Sequence, residues 1–468
     1  MELCGFPVAL RGFAAIFPAV KSEKARLDDA DRNWRRFVLF RVLFNSRFYY
    51  PVLAVLFLDL GLSATEYTLL NFAWAIAIVF TDLPAGVLAD RIGRRPLVVA
   101  AASFMVMEMI LLAVAPLNGG IVLLLCCLAN RILSGMAEGM ASGADEALVF
   151  DSLAERDRSG EWPKVLDHVM RWQGLGMVIA MLVGGAAYDP VFMGRIFSAI
   201  GLNLHLTQGT TLRFPIYLNL ITAVLTLWTA IGLREPSVRT RQVAPENQEH
   251  ANAEVTALRL VANAGRWIVH TPVALFVILA GVLIDSVVRL FLTFSSSYFR
   301  DISLPEATFG LIGSTMGGIG FVVSPLARRM ATKHSLVRNY GVIAVVVLGG
   351  LIGVACRWQL WGVVFIVPLA AAMMILGYLV SYYLNAIVDS SHRATVLSFK
   401  GVAFNLGYGF ISLVFALVLR ACREGGNPQE AFARALVFLP LWILIGSLLC
   451  AISFWRHRRQ LSVMPKTA

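Results

Sequence analysis

The chain has 468 residues, of which 58% are hydrophobic and 15% charged, with a formal net charge of +11. A soluble domain carries about 25% charged and about 45–50% apolar residues, so a water-surrounded globule is excluded and lipid is the expected solvent. The basic excess would suit nucleic acid in composition alone, but in a lipid-embedded chain it is a topology signal whose position along the sequence decides its meaning.

Residues 1–36 form an N-terminal segment. Cys4–Val20 is apolar but interrupted by Pro7, Arg11 and Pro18, with no small-residue cleavage site after it, so a cleaved signal peptide is not expected; Lys21–Arg36 reads as a cytoplasmic lead-in. A membrane-spanning helix needs about 20 mostly apolar residues. Stretches of this kind lie at Phe37–Leu60, Glu66–Leu88, Leu97–Ala115, Ile121–Phe150, Val165–Tyr188 and Leu212–Leu233. Six more follow at Pro272–Tyr298, Phe309–Leu326, Leu336–Cys356, Leu360–Val388, Ala394–Leu419 and Ala431–Phe454. The expectation is an all-α membrane protein of twelve spans, in two six-helix units at 37–233 and 267–457, with a tail at 458–468. The break between the units, 234–266, is too polar for lipid. Val255, Leu258 and Val261 recur there at three-residue spacing, as in a short helix lying on the membrane surface.

With the N-terminus inside, Arg32, Arg35, Arg36, Arg91, Arg94, Arg95, Arg328, Arg329, Lys333, Arg338 and Arg456 all fall on one side, as do the arginines of the central break. The other side holds only Arg195, Arg213, Arg300, Arg357, Arg420, Arg423 and Arg434. The positive-inside rule then places both termini in the cytoplasm and disposes of nucleic acid as a partner. The cysteines form no CxxC pair, and HExxH, GxSxG and P-loop patterns are absent. Neither a metal nor a cofactor is expected, nor an enzyme.

The second span runs into Asp82-Leu-Pro84-Ala-Gly86-Val-Leu-Ala-Asp90-Arg91-Ile-Gly93-Arg94-Arg95-Pro96. Gly86 removes a side chain where helices approach, and Gly93 permits a tight turn into the third helix. This segment resembles the G-x-L-a-D-R-x-G-R-R loop between helices two and three of the major facilitator superfamily. The fourth span supports the likeness with an early Arg131, several glycines and a closing Asp151, and its Ser142–Leu148 run is similar to a branch of bacterial members. The resemblance implies two bundles that rock about a midplane site, in a bacterial inner membrane, as a monomeric secondary transporter of a small solute. It further implies a gating role for Gly86, Asp90, Arg91, Gly93, Arg94, Arg95 and Asp151. Asp90 is expected to meet the start of helix eleven near Arg393–Thr395, and the arginines to pair with acids at the end of helix four. Proton coupling and efflux of an amphipathic or polar compound are the leading expectations; a non-transporting sensor or scaffold on the same fold is the alternative. Two departures stand: the helix-five G-P-x-x-G-G of drug/proton antiporters has no proline here, and Pro325–Met330 lacks the acid and glycine of the first-half loop.

A charge at a helix centre costs about 2.5–3.5 kcal/mol on an insertion scale, so each must pair or face water. Arg131, Glu138 and Asp145 are seven apart, each about 20° from the last around the helix, and make one polar stripe about 21 Å long. Two readings stand: an ion-pair network pinning the fourth helix, or a cavity wall with Glu138 as the proton-coupling acid. Arg47, ten residues into the first span, is expected to contact substrate or to pair with Glu138, while Arg41 is expected to snorkel. Glu108 lies at mid-depth on a helix that the resemblance makes peripheral. Asp285 and Arg289 are an i, i+4 pair able to neutralise each other. Tyr378, Ser381, Tyr382 and Asn385 share one face of the tenth span, with Tyr378 and Tyr382 as candidate solute contacts.

Overall fold

The computed structural model of the chain describes residues 23–153, 158–235, 265–388, 393–423 and 427–457. Among these residues every regular element is helical. The first half contains α1 (Glu23–Asn45), α2 (Leu53–Leu60), α3 (Ala64–Ile92), α4 (Arg94–Val114), α5 (Gly120–Ala141), α6 (Ala144–Ser152), α7 (Arg158–Tyr188), α8 (Pro190–Ala199), α9 (Gln208–Thr211) and α10 (Phe214–Gly232). The second half contains α11 (Pro272–Thr293), α12 (Ser295–Asp301), α13 (Phe309–Lys333), α14 (Leu336–Ala355), α15 (Ile366–Ile387), α16 (Arg393–Arg423), α17 (Pro428–Leu436) and α18 (Phe438–Phe454). The surface helix expected around Val255 lies outside the described residues.

Eleven helical stretches among the described residues are long and apolar enough to cross a membrane. The remaining expected span, Phe37–Leu60, is divided between α1 and α2. Four spans expected to be continuous are broken, the twelfth by a one-residue step at Val437 between α17 and α18. In the first, Pro51 cannot donate a backbone hydrogen bond and disfavours helix at Tyr50, so α1 stops at Asn45 and a 3-10 turn, Tyr50–Val52, intervenes. In the fourth, Gly143 takes a left-handed conformation (φ +72°) between α5 and α6. In the seventh, α11 gives way at Thr293 to a Ser295–Ser297 run, whose hydroxyls compete for backbone groups.

The breaks correct the polar stripe expected on the fourth span. Arg131 and Glu138 share α5, but Asp145 begins α6 beyond the break and leaves their register.

In lipid, a freed backbone N–H or C=O must find its partner inside the protein. Asn219 of α10 accepts from Phe48 N (3.0 Å) at the first break. Ser296 of α12 accepts from Ala54 N (3.0 Å) and Val55 N (3.2 Å), so a hydroxyl from the second half caps the start of α2 in the first. Tyr67 of α3 returns the contact by donating to Thr293 O (3.1 Å), the carbonyl at the end of α11. The break in the first span is therefore capped from the second half, and the end of α11 from α3 of the first.

The halves also meet where α3 runs along α16 and α7 along α13. Gly310 at the start of α13 abuts the α7 backbone so closely that a Cβ there would lie 2.0 Å from Met181 O. Within each half the packing is between neighbours in the bundle, α3 and α4 against α5, and α11 against α15, α16 and α18.

Ser296→Ala is expected to destabilise the contact between halves by about 1 kcal/mol, the usual cost of losing a helix N-cap. The expected readout is a lower thermal midpoint of purified protein. Ser297→Ala is the control, because the Ser297 hydroxyl has no partner, and it should leave the midpoint unchanged.

Candidate functional site

A cavity of about 380 Å³ lies between the halves. Arg131 of α5 and Arg289 of α11 face it from opposite halves, with Trp74 of α3 and Tyr408 of α16 beside them. The Arg131 guanidinium carbon sits 5.3 Å from the Trp74 ring centre, and that of Arg289 sits 5.4 Å from the Tyr408 ring centre. The two rings meet edge to face at 6.1 Å. Arg289 donates to Asn405 Oδ1 (3.0 Å) and pairs with Asp285 at 2.6 Å, the helix-internal pair expected from the sequence. Arg131 is 5% exposed, and its Nη2 donates to Asn71 Oδ1 (3.0 Å). Its Nε has no hydrogen-bond partner.

Arg47 sits in the break between α1 and α2 and is 2% exposed. It pairs with Glu108 of α4 at 2.5 Å and with Glu138 of α5 at 3.4 Å. Glu108 is completely buried. A third helix expected to be peripheral thus supplies the tighter partner, and Glu138, whose side chain is 35% exposed, is the looser one. Arg41 does not snorkel: it pairs with Asp145 (2.7 Å) and Glu146 (2.6 Å), fixing α1 to α6. Asp145 is held in that contact, away from the cavity lining.

At the end of the molecule where α3 turns into α4, Gly93 adopts φ +96°, the turn expected of it. Arg94 donates to Ala147 O (2.5 Å) and pairs with Asp151, as expected of the loop arginines. Arg95 donates to Ile231 O (2.9 Å). A further acid joins them. Glu235 accepts from Arg94 N (3.2 Å) and Arg95 N (2.8 Å), placing a carboxylate at the α4 N-terminus where the helix dipole favours it. The side chains of Asp90 and Arg91, and of Arg393–Thr395, lie outside the described residues. Gly86 does not mark a close approach: a Cβ there would meet nothing within 4 Å. On α15, Tyr378 and Tyr382 stack at 6.4 Å with an angle of 10°. Tyr378 lines a wider opening of about 880 Å³ with Met170, Ser324, Arg328 and Arg329. Ser381 and Asn385 bond to each other across one turn.

At the opposite end a cluster of ion pairs and hydrogen bonds joins both halves, beside a cavity of about 450 Å³ that Arg300 also lines. Arg300 of α12 holds Asp59 of α2 through both carboxylate oxygens (2.6 and 2.7 Å) and also pairs with Glu306. Tyr188 at the end of α7 donates to Asp59 Oδ2 (2.6 Å), and Ala307 N donates to Asp189 Oδ2 (3.2 Å). Sequence spacing could not reveal this cluster, because Asp59, Tyr188 and Arg300 sit at the tips of three different spans. No group of three or more His, Cys, Asp or Glu side chains suited to a metal occurs among the described residues.

Residues 37–418 match the family model described as Major Facilitator Superfamily. No curated protein sequence matches the chain. Among solved structures it is similar to a mutant of the nucleoside transporter NupG, at TM-score 0.68 and 11% identity over 90% of this chain and 99% of that one. A bacterial homolog of the human lysosomal transporter Spinster, in an inward-facing and occupied conformation, aligns at TM-score 0.65 and 16% identity over 93% and 99% of the two chains. The xylose transporter XylE from E. coli, partially occluded and inward open, aligns at TM-score 0.58 and 14% identity over 92% and 97%. At these identities the likeness is one of fold.

Because Glu108 holds Arg47 closely in full burial, Glu108→Gln leaves a buried arginine short of its counter-charge. It is expected to cost about 3–5 kcal/mol and to lower the thermal midpoint sharply. Glu138→Gln removes a longer, partly exposed contact and is expected to cost about 0–1 kcal/mol. Equal losses in the two variants would contradict the order of partners.

Proposed function

The chain belongs to the Major Facilitator Superfamily, and on that premise we propose that this membrane transporter carries a small amphipathic solute through the cavity between its halves by alternating access, driven by protons. The observation that carries the reading is the asymmetry of the two ends. Asp59, Arg300 and Glu306 join the halves at one end, while an opening of about 880 Å³ separates α7 from α13 and α15 at the other. A rocking motion that breaks the ion-pair cluster and closes the opening would carry solute from one end to the other.

The opening lies at the end rich in arginine, which the positive-inside rule assigns to the cytoplasm of a bacterial inner membrane, together with both termini. The direction we assign is efflux, as the resemblance of the sequence implies. The two six-helix units at 37–233 and 267–457 are the bodies that move.

Glu138 is the proton site in this reading. It is the carboxylate of the Arg47 network that keeps side-chain exposure, and its 3.4 Å contact with Arg47 is the longer of the two. Differential protonation of the two end states supplies the bias that drives transport. Asp90, in the loop that resembles the family's gate, latches the state in which the basic end is closed. Asp145, held by Arg41, supports this end rather than touching solute, and Tyr378 and Tyr382 guide solute through the opening.

Flux in proteoliposomes tests the reading. Solute movement should follow an imposed pH gradient and fall when the gradient is collapsed. Glu138→Gln should remove the pH dependence while leaving exchange of solute across equal pH intact. Asp90→Asn should slow net flux several-fold at normal expression. Unchanged pH dependence in Glu138→Gln would remove this residue from coupling, and no flux above empty vesicles would favour a sensor over a transporter.

A further inference from the structure

We propose that the solute is an amphipathic organic anion whose acidic group is clamped between Arg131 and Arg289. The inference rests on the reading of the central cavity as the solute's site.

Arg131 and Arg289 are the charged side chains that line this cavity among the described residues, and both are cationic. The acids nearby are turned to other tasks. Asp285 pairs with Arg289 along α11 and does not line the cavity, and Glu108 is fully buried against Arg47. The lining therefore presents positive charge without a carboxylate of its own.

Arg131 in particular is incomplete. It is 5% exposed, its one hydrogen-bonded partner is the neutral Asn71, its Nε is unpartnered, and it makes no ion pair among the described residues. A guanidinium so placed lacks a counter-charge, and its planar fork matches a carboxylate or another oxyanion with two acceptor oxygens. Asn71 and the Trp74 face hold that fork in position before an anion arrives. Arg289 is held likewise by Asn405 and Tyr408 from the other half. An anion reaching both arginines would draw the halves together at mid-depth.

The rest of the lining sets the body of the solute. Met181, Met316, Met373, Phe299 and Phe309 offer polarizable, adaptable apolar surface, and the edge of Trp74 against Tyr408 offers an aromatic wall. A volume of about 380 Å³ suits one or two rings or a short alkyl chain, not a long acyl tail. Sugars and other neutral polyols would leave the arginines unpaired and the apolar wall unfilled.

The test uses purified full-length protein and isothermal titration with two size-matched sets: 3-phenylpropionate, its amide and 3-phenylpropylamine; and 2-naphthoate, its amide and 2-naphthylmethylamine. In each set the carboxylate should bind about tenfold or more tightly than the amide, with the amine weakest, as expected for one charge-assisted contact in a sheltered site. Arg131→Gln should bring the carboxylate to the level of the amide, and Arg131→Lys should fall between. Arg171→Gln, at an exposed position paired with Asp167, should change nothing. If Arg131→Gln fails to fold, the order of the three ligands on the unaltered protein decides the matter. Amide or amine binding as tightly as carboxylate, and weakened by Trp74→Ala, overturns the anion assignment and leaves the cavity as the solute's site. Carboxylate binding that ignores both Arg131→Gln and Trp74→Ala, or no binding by any of the six, overturns the assignment and the cavity together.

Discussion

A helix that breaks inside lipid frees backbone groups that water cannot reach, and the organisation of this protein follows from where those groups find partners. The first and seventh spans both break, and each half supplies partners to the other: Ser296 caps α2, and Tyr67 of α3 takes the Thr293 carbonyl. These contacts join the two halves at their centre and hold Arg47, Tyr50 and Arg289 close to the resulting irregular backbone. Charged side chains obey the same constraint. Arg47 is closed by Glu108, Arg41 by Asp145 and Glu146, and Arg289 by Asp285. The spans can be irregular and polar because the polarity is turned inward.

Much of the architecture was legible in the residues. Apolar runs of spanning length, with a polar break at 234–266, located the helices, and the Gly93-Arg94-Arg95 loop gave both the tight turn and the Asp151 pair. The i, i+4 pair of Asp285 and Arg289 followed from helix geometry alone. What escaped were features that local periodicity does not encode. Pro51 and the Ser295–Ser297 run signalled breaks, but a hydropathy reading weights them little against the surrounding Leu, Val and Phe. Missing the turn at Gly143 carried the helical register through to Asp145 and made one stripe of what are two helices. The role of Glu108 is not legible in the sequence, because the depth of a residue can be counted along a helix, whereas the face it turns inward depends on neighbours far away in sequence. Glu235 and the Arg300 cluster are likewise contacts between residues more than a hundred positions apart, apart from the short Arg300–Glu306 step.

The same contacts account for the asymmetry of the molecule. At the Arg300 end the ties between halves are ionic and localized, so a small number of bonds holds them shut. Backbone caps and the close packing of Gly310 against α7 add further ties between the halves. At the basic end α7, α13 and α15 stand apart around the opening. In the proposed reading the halves rock about these shared contacts, with the Arg131–Arg289 cavity between them as the solute's site.

The central claim is that the two ends open in opposition, with Arg300 holding the present state. The most direct measurement is the pair of distances between spin labels across each end, in lipid nanodiscs and in a background without the native cysteines: Leu117 with Trp358 at the Arg300 end, and Ile92 with Val337 at the basic end, all at exposed positions. Introducing Arg300→Ala should lengthen the first distance and shorten the second. If the first does not change, or if both lengthen together, the halves do not rock about a common centre and the account is wrong.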